Sequence, residues 1–187
     1  MGNSKAKGGN FEREVARELS LWWTNGKRED VFYRTNSSGG RFTMRRKSGK
    51  DTSSQGGDIG FTDPIGKPLT DKWSIEVKTG YGTKTKSGIV RWDVLDFLDS
   101  SQKEIVLEKM WKQSERDAEL TEREPILIFR RNGRKACIMM RWICWQLLPH
   151  IYEPGSIKSI IWEGNIILLL KDFFEYVDVK KFKKKVI

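Results

Sequence analysis

The stretch Trp73-Ser74-Ile75-Glu76-Val77-Lys78 constrains the fold of this chain more than any other. Its side chains alternate, with Trp73, Ile75 and Val77 on one side and Ser74, Glu76 and Lys78 on the other, the period of an extended strand. A strand with one apolar face needs sheet neighbours and a covering layer. Its second face sets a carboxylate and an ammonium group two residues apart. A strand with a wet face gives the same alternation, and with 14 Glu and 21 Lys in 187 residues chance alone supplies about one or two Glu-x-Lys triplets. The surrounding segments therefore decide what this one means.

Upstream, Gly8-Gly9-Asn10-Phe11-Glu12-Arg13-Glu14 opens a helix. Asn10 is the expected N-cap, and Phe11, Val15, Ala16, Leu19, Trp22 and Trp23 follow at helical spacing. Glu12 falls inside that apolar arc, where a carboxylate needs a cation or hydrogen-bond donors to offset its desolvation. Glu14 lies outside the arc and reads, with Arg13, as a solvated face. Val31-Phe32-Tyr33-Arg34 is a first strand. From Thr35 to Gly57 the chain turns rich in Gly and Ser and carries Arg45-Arg46-Lys47. This long loop reads either as a floppy insertion or as a basic flap closing over a polyanion. Asp58 follows, leading into a short strand with Ile59 and Phe61 and a turn at Asp63-Pro64-Ile65-Gly66.

Downstream of the alternating strand, a second basic loop carries Lys84 and Lys86. A helical segment runs from about Asp93 to Glu124, broken near Asp99-Ser100 and stopped by Pro125. Val106, Met110, Gln113 and Leu120 share one of its faces, which sets the Gln113 amide among core residues. Ile126-Leu127-Ile128-Phe129 is a buried strand, an Asn132-Gly133 turn follows, and Lys135 to Met140 completes a hairpin. A Trp-rich segment from Arg141 to Leu148, a strand from Asn165 to Leu170 and a basic tail from Lys180 to Lys185, solvated by default and adding phosphate contacts where DNA is near, end the reading.

Charge narrows the partners. The chain has 35 Lys and Arg against 25 Asp and Glu, a net charge of +10, the excess that draws a protein onto polyphosphate by counterion release. No segment reaches the roughly 18 apolar residues of a membrane span, and no signal peptide is evident, so a cytoplasmic protein is expected. Cys137, Cys144 and His150 are the only Cys and His residues. Disulfide and zinc frameworks are thereby disfavoured, and any metal falls to oxygen ligands, which favours magnesium with manganese as a substitute. No phosphate-loop motif suggests a nucleotide cofactor.

Glu12 on a helix, an isolated Asp58 and Glu76-x-Lys78 on the next strand, in that order, resemble the PD-(D/E)xK nuclease superfamily, and within it the archaeal and phage-type Holliday junction resolvases. The likeness covers about the first 130 residues. It implies an α/β, restriction-endonuclease-like fold, a mixed central sheet flanked by helices, formed by one domain whose catalytic core spans about 8–130 and whose C-terminal elaboration and basic tail span about 134–187. It implies catalytic roles for Glu12, Asp58, Glu76, Lys78 and Gln113. A metal would sit on Asp58, Glu76, the Val77 carbonyl and Glu12. Arg34, Arg45, Arg46, Lys47, Lys84 and Lys86 would face DNA. The function implied is Mg2+-dependent cleavage of branched DNA by a homodimer, with Trp142, Ile143, Trp145 and Leu147 as apolar interface material. A restriction- or repair-type endonuclease on linear duplex and a catalytically silent DNA-binding module are the alternatives.

Overall fold

The computed structural model describes residues 4–35, 57–80, 84–85, 88–89, 105–152 and 157–186. Helix α1 (Ser4–Trp23) buries Phe11, Val15, Ala16, Leu19, Trp22 and Trp23, the arc that periodicity marks out. It begins well before Asn10, which is therefore not an N-cap. Gly8 and Gly9 continue the helix, and the Asn10 side chain instead accepts a hydrogen bond from Arg13. Strands β1 (Phe32–Arg34) and β2 (Ile59–Phe61) pair antiparallel across the 36–56 segment, with Tyr33 opposite Gly60. A 3-10 turn at Pro64–Gly66, capped by Asp63, leads into α2 (Lys67–Lys72) and then β3 (Trp73–Thr79).

The main sheet has five strands. β3 lies at one edge beside β6 (Glu124–Arg130), followed by β7 (Ala136–Arg141), β9 (Asn165–Leu169) and, at the far edge, β8 (Ser159–Trp162). The β3–β6 pair is parallel and the others antiparallel. Two-residue strands β4 (Lys84–Thr85) and β5 (Gly88–Ile89) form a separate ladder. The crossover from β3 to β6 contains α3 (Val106–Glu119), which covers one face of the sheet through Leu107, Met110 and Trp111 against Leu127, Phe129, Met139 and Ile167. The other face packs on α1. This is the mixed, helix-flanked sheet that the restriction-endonuclease-like expectation requires.

Three local expectations need correction. α3 ends at Glu119, through a turn in which Glu122 takes φ 56°, so Pro125 does not stop it. Pro125 lies inside β6 opposite Ser74, where its missing N–H is tolerated because β7 pairs with β6 only from Leu127 onward. The Trp-rich segment forms α4 (Trp142–Leu147), but Trp145 is core and Trp142 is partly buried, leaving Ile143 and Leu147 exposed. Finally, the basic tail is structured. After α5 (Leu170–Tyr176), α6 (Val179–Val186) drives Phe182 into the main core, where its ring stacks on Trp73 with centroids 5.0 Å apart. Counting charges alone hid the Phe at the centre of that run.

Candidate active site

Asp58 owes its position to the residue before it. Gly57 has φ +88°, and a Cβ there would come within 2.6 Å of the Ile75 carbonyl oxygen. Only glycine lets the chain run this close to β3. The Asp58 N–H then donates to the Ile75 carbonyl at 2.7 Å, and the Asp58 carbonyl accepts the Thr35 N–H at 2.8 Å. Its carboxylate turns back along the strand edge and accepts the Val77 N–H at 2.9 Å. Asp58 is 3% exposed.

Glu76 projects from β3 and is likewise 3% exposed. The Lys78 ammonium forms an ion pair with its Oε1, as the two-residue spacing predicts. From α3, the Gln113 amide donates to the same oxygen at 3.2 Å. Burial pushes the Glu76 carboxyl up to about 7, helped by the Asp58 charge and opposed by Lys78. Asp58 is raised too, by burial first, with Lys78 and the Val77 N–H pulling the other way. Two carboxylates are thus held out of water against one ammonium. Such a pair is deficient in positive charge.

A divalent cation answers that deficiency. The donors are all hard oxygen, and His150 and the two Cys lie elsewhere, His150 tilted against Trp145 with ring centroids 4.4 Å apart. The residues fit a Mg2+- or Mn2+-type ion. Among the described residues, however, no three His, Cys, Asp or Glu side chains already converge as a metal cluster. Glu12 stands apart from the pair, although its charge raises Asp58.

Glu12 is held by Arg34. The two form an ion pair across the α1–β1 contact, and the Arg34 guanidinium lies against Gly9, where a Cβ would meet its Nη1 at 2.7 Å. Arg34, expected to face DNA, is therefore engaged with a carboxylate and lines a groove with Arg13, Arg17 and Tyr33. Glu14 is not merely solvated. Both its oxygens accept from Arg130 at 2.7 and 2.8 Å, and that guanidinium also covers the Phe11 ring at 4.1 Å, fixing α1 to the end of β6.

The structure therefore brings Asp58, Glu76, Lys78, Val77 and Gln113 together and sets Glu12 with Arg34 alongside. Lys84 lies in β4, described through its backbone, while Arg45, Arg46, Lys47 and Lys86 fall outside the described residues. Sequence reasoning missed Asp117, a half-buried carboxylate whose charge is felt by both Asp58 and Glu76. Its place four residues after Gln113, on the same helix face, is the signal that could have found it.

A family model described as "Phage putative PDDEXK endonuclease" matches residues 3–185. Neither the curated proteins nor the solved structures contain a match. With Asp58, Glu76 and Lys78 meeting at one strand edge inside the matched span, the chain belongs to the phage PDDEXK endonuclease family.

Proposed function

We propose that this endonuclease is metal-dependent and cuts branched DNA of the four-way-junction type, acting as a homodimer in the cytoplasm of the host cell. The observation that carries the reading is the buried Asp58–Glu76 pair with the Lys78 ammonium on Glu76, at the β3 edge of the described sheet. Asp58 and Glu76 are the residues that would hold Mg2+, with Mn2+ as a substitute. The Val77 carbonyl, which leaves an extended strand on the same edge as the N–H given to Asp58, and Glu12 would complete the shell. A bound ion supplies Lewis acidity at the phosphate and lowers the pKa of water.

The protein's own groups do the rest. Lys78 carries its ammonium beside Glu76, where it orients the attacking water and offsets charge developing on the phosphoryl oxygens. Gln113 fixes the Glu76 rotamer through its amide. Arg34, released from Glu12, is the cation nearest that carboxylate and takes a substrate phosphate. Lys84 and Lys86, with Arg45, Arg46 and Lys47, extend the basic surface along the DNA.

Cleavage of a four-way junction beside its separate linear arms tests this reading. Asp58→Asn and Glu76→Gln are expected to abolish cutting in Mg2+ while leaving junction affinity in Ca2+ intact, since neither changes the basic surface. Equal cutting of the linear arms favours the restriction- or repair-type alternative, and no Mg2+-dependent cutting of either favours the silent module.

A further inference from the structure

The described apolar side chains of α6, Val179 and Phe182, lie in the core. Phe182 is 2% exposed beneath Trp73, Trp22 and Trp23, and Val179 is buried beside it. Asp178 caps the helix, accepting the Lys180 and Lys181 N–H groups at 3.0 and 3.1 Å. The outward face is lysine: Lys180, Lys181, Lys184 and Lys185 are all exposed. Lys180 stacks above Lys184 and Lys181 above Lys185, two like-charged rows at the spacing where such pairs repel. Lys180 and Lys181 also sit in the first turn, where the helix dipole disfavours cations. A preference for cations at a helix C-terminus explains Lys183 to Lys185 and leaves these two unexplained. Asp178 lies 3.7 Å from Lys181, Glu18 and Glu175 line the groove beside Lys180, and Lys183 lies over the Trp23 ring at 4.5 Å.

Resting on the nuclease reading, we propose that this rigid lysine face is a second contact for the DNA backbone, away from the acidic edge. Trp73 starts the strand on which Glu76 lies three residues farther along. Trp73 is thus about 10 Å from Glu76 along the strand and on its opposite face: Glu76 meets Gln113, whereas Trp73 meets Phe182. A membrane surface is the competing polyanion. It suits the structure poorly, because an interfacial helix needs an apolar face to insert, and the described apolar residues of this one, Val179 and Phe182, are buried.

The test measures binding of full-length protein to a labelled four-way junction in Ca2+ across a salt series. Lys180→Gln/Lys184→Gln is compared with Lys135→Gln/Lys158→Gln, which removes the same charge from exposed positions at the β6–β7 turn and before β8. The α6 pair is expected to weaken binding several-fold at physiological salt and to reduce the slope of log K against log salt by about one to two, the control pair by much less. Equal effects from both pairs would mean that only net charge matters and would overturn the proposal, as would no effect from either. Stronger lysine-dependent binding to phosphatidylserine vesicles than to DNA would overturn it in favour of a membrane. Both substituted residues are exposed, so melting temperature should hold or rise. Should the double variant not fold, Lys184→Gln alone supplies the slope. Failure of the wild type to cut in Mg2+ would defeat the nuclease reading separately, because these binding data need no cleavage.

Discussion

Gly9 and Gly57 frame the acidic edge, and a methyl group at each has a different consequence. At Gly57 the methyl would meet strand backbone, which cannot move without parting Asp58 from β3. Gly57→Ala is therefore expected to cost about 1–3 kcal/mol in urea unfolding and to eliminate cleavage. At Gly9 the methyl would meet only the far end of Arg34. Because Ala is favoured over Gly in a helix by about 1 kcal/mol, Gly9→Ala should keep or raise stability while displacing Arg34 and lowering cleavage. A stability loss at Gly9 would show that the glycine serves packing and not the guanidinium. The carboxylates add a pH signature. Glu76 sits at about 7 in the fold against 4.5 for a free carboxyl, so the folded chain binds this proton more tightly than the unfolded chain. Ion-free protein should lose stability as pH rises between those values, Asp58 acting in the same sense, and lose no more from Glu76 above them. Melts in chelator should show that slope, and Glu76→Gln should flatten it.

The elements legible in the sequence were those with a strong period or a strong turn: α1, β3, and the β6–β7 hairpin around Gly133, whose φ of 68° the Asn132-Gly133 pair anticipates. Asp58, Glu76 and Lys78 came with them, since strand alternation and chain order fix their relation. What was hidden depended on contacts distant in sequence. Nothing near Arg34 announces that it meets Glu12, and Asp117 joins the site only because α3 lies across β3. α6 was obscured for a related reason: one buried Phe among five Lys carries little period, and its partners Trp22, Trp23 and Trp73 are far upstream. The helix can be tested at its own scale. Phe182→Ala should cost about 3–5 kcal/mol by emptying the space under Trp73, whereas neutral substitutions at Lys180 and Lys184 should spare stability. A small loss at Phe182 would mean that α6 docks loosely.

For the whole molecule, the proposed homodimer needs surface beyond the core. Trp145 and Trp142 are largely used internally, which leaves Ile143 and Leu147, 58% and 65% exposed, as the apolar part of α4 available to a second copy. Ile143→Glu/Leu147→Glu should give a folded monomer by light scattering and abolish two-fold-related cuts on a junction. A dimer that survives the substitution would place the interface elsewhere. The stacking of Phe182 on Trp73 also has a temporal side. Ribosomes add residues in order, and more than a hundred lie between these two rings. The face of β3 opposite Glu76, already met by the Phe173 ring, therefore gains the stacked Phe182 ring only after translation has passed residue 182, and until then the strand that carries Glu76 lacks part of its backing. A nascent chain stalled short of that point would hold β3 without the ring that stacks on its first residue.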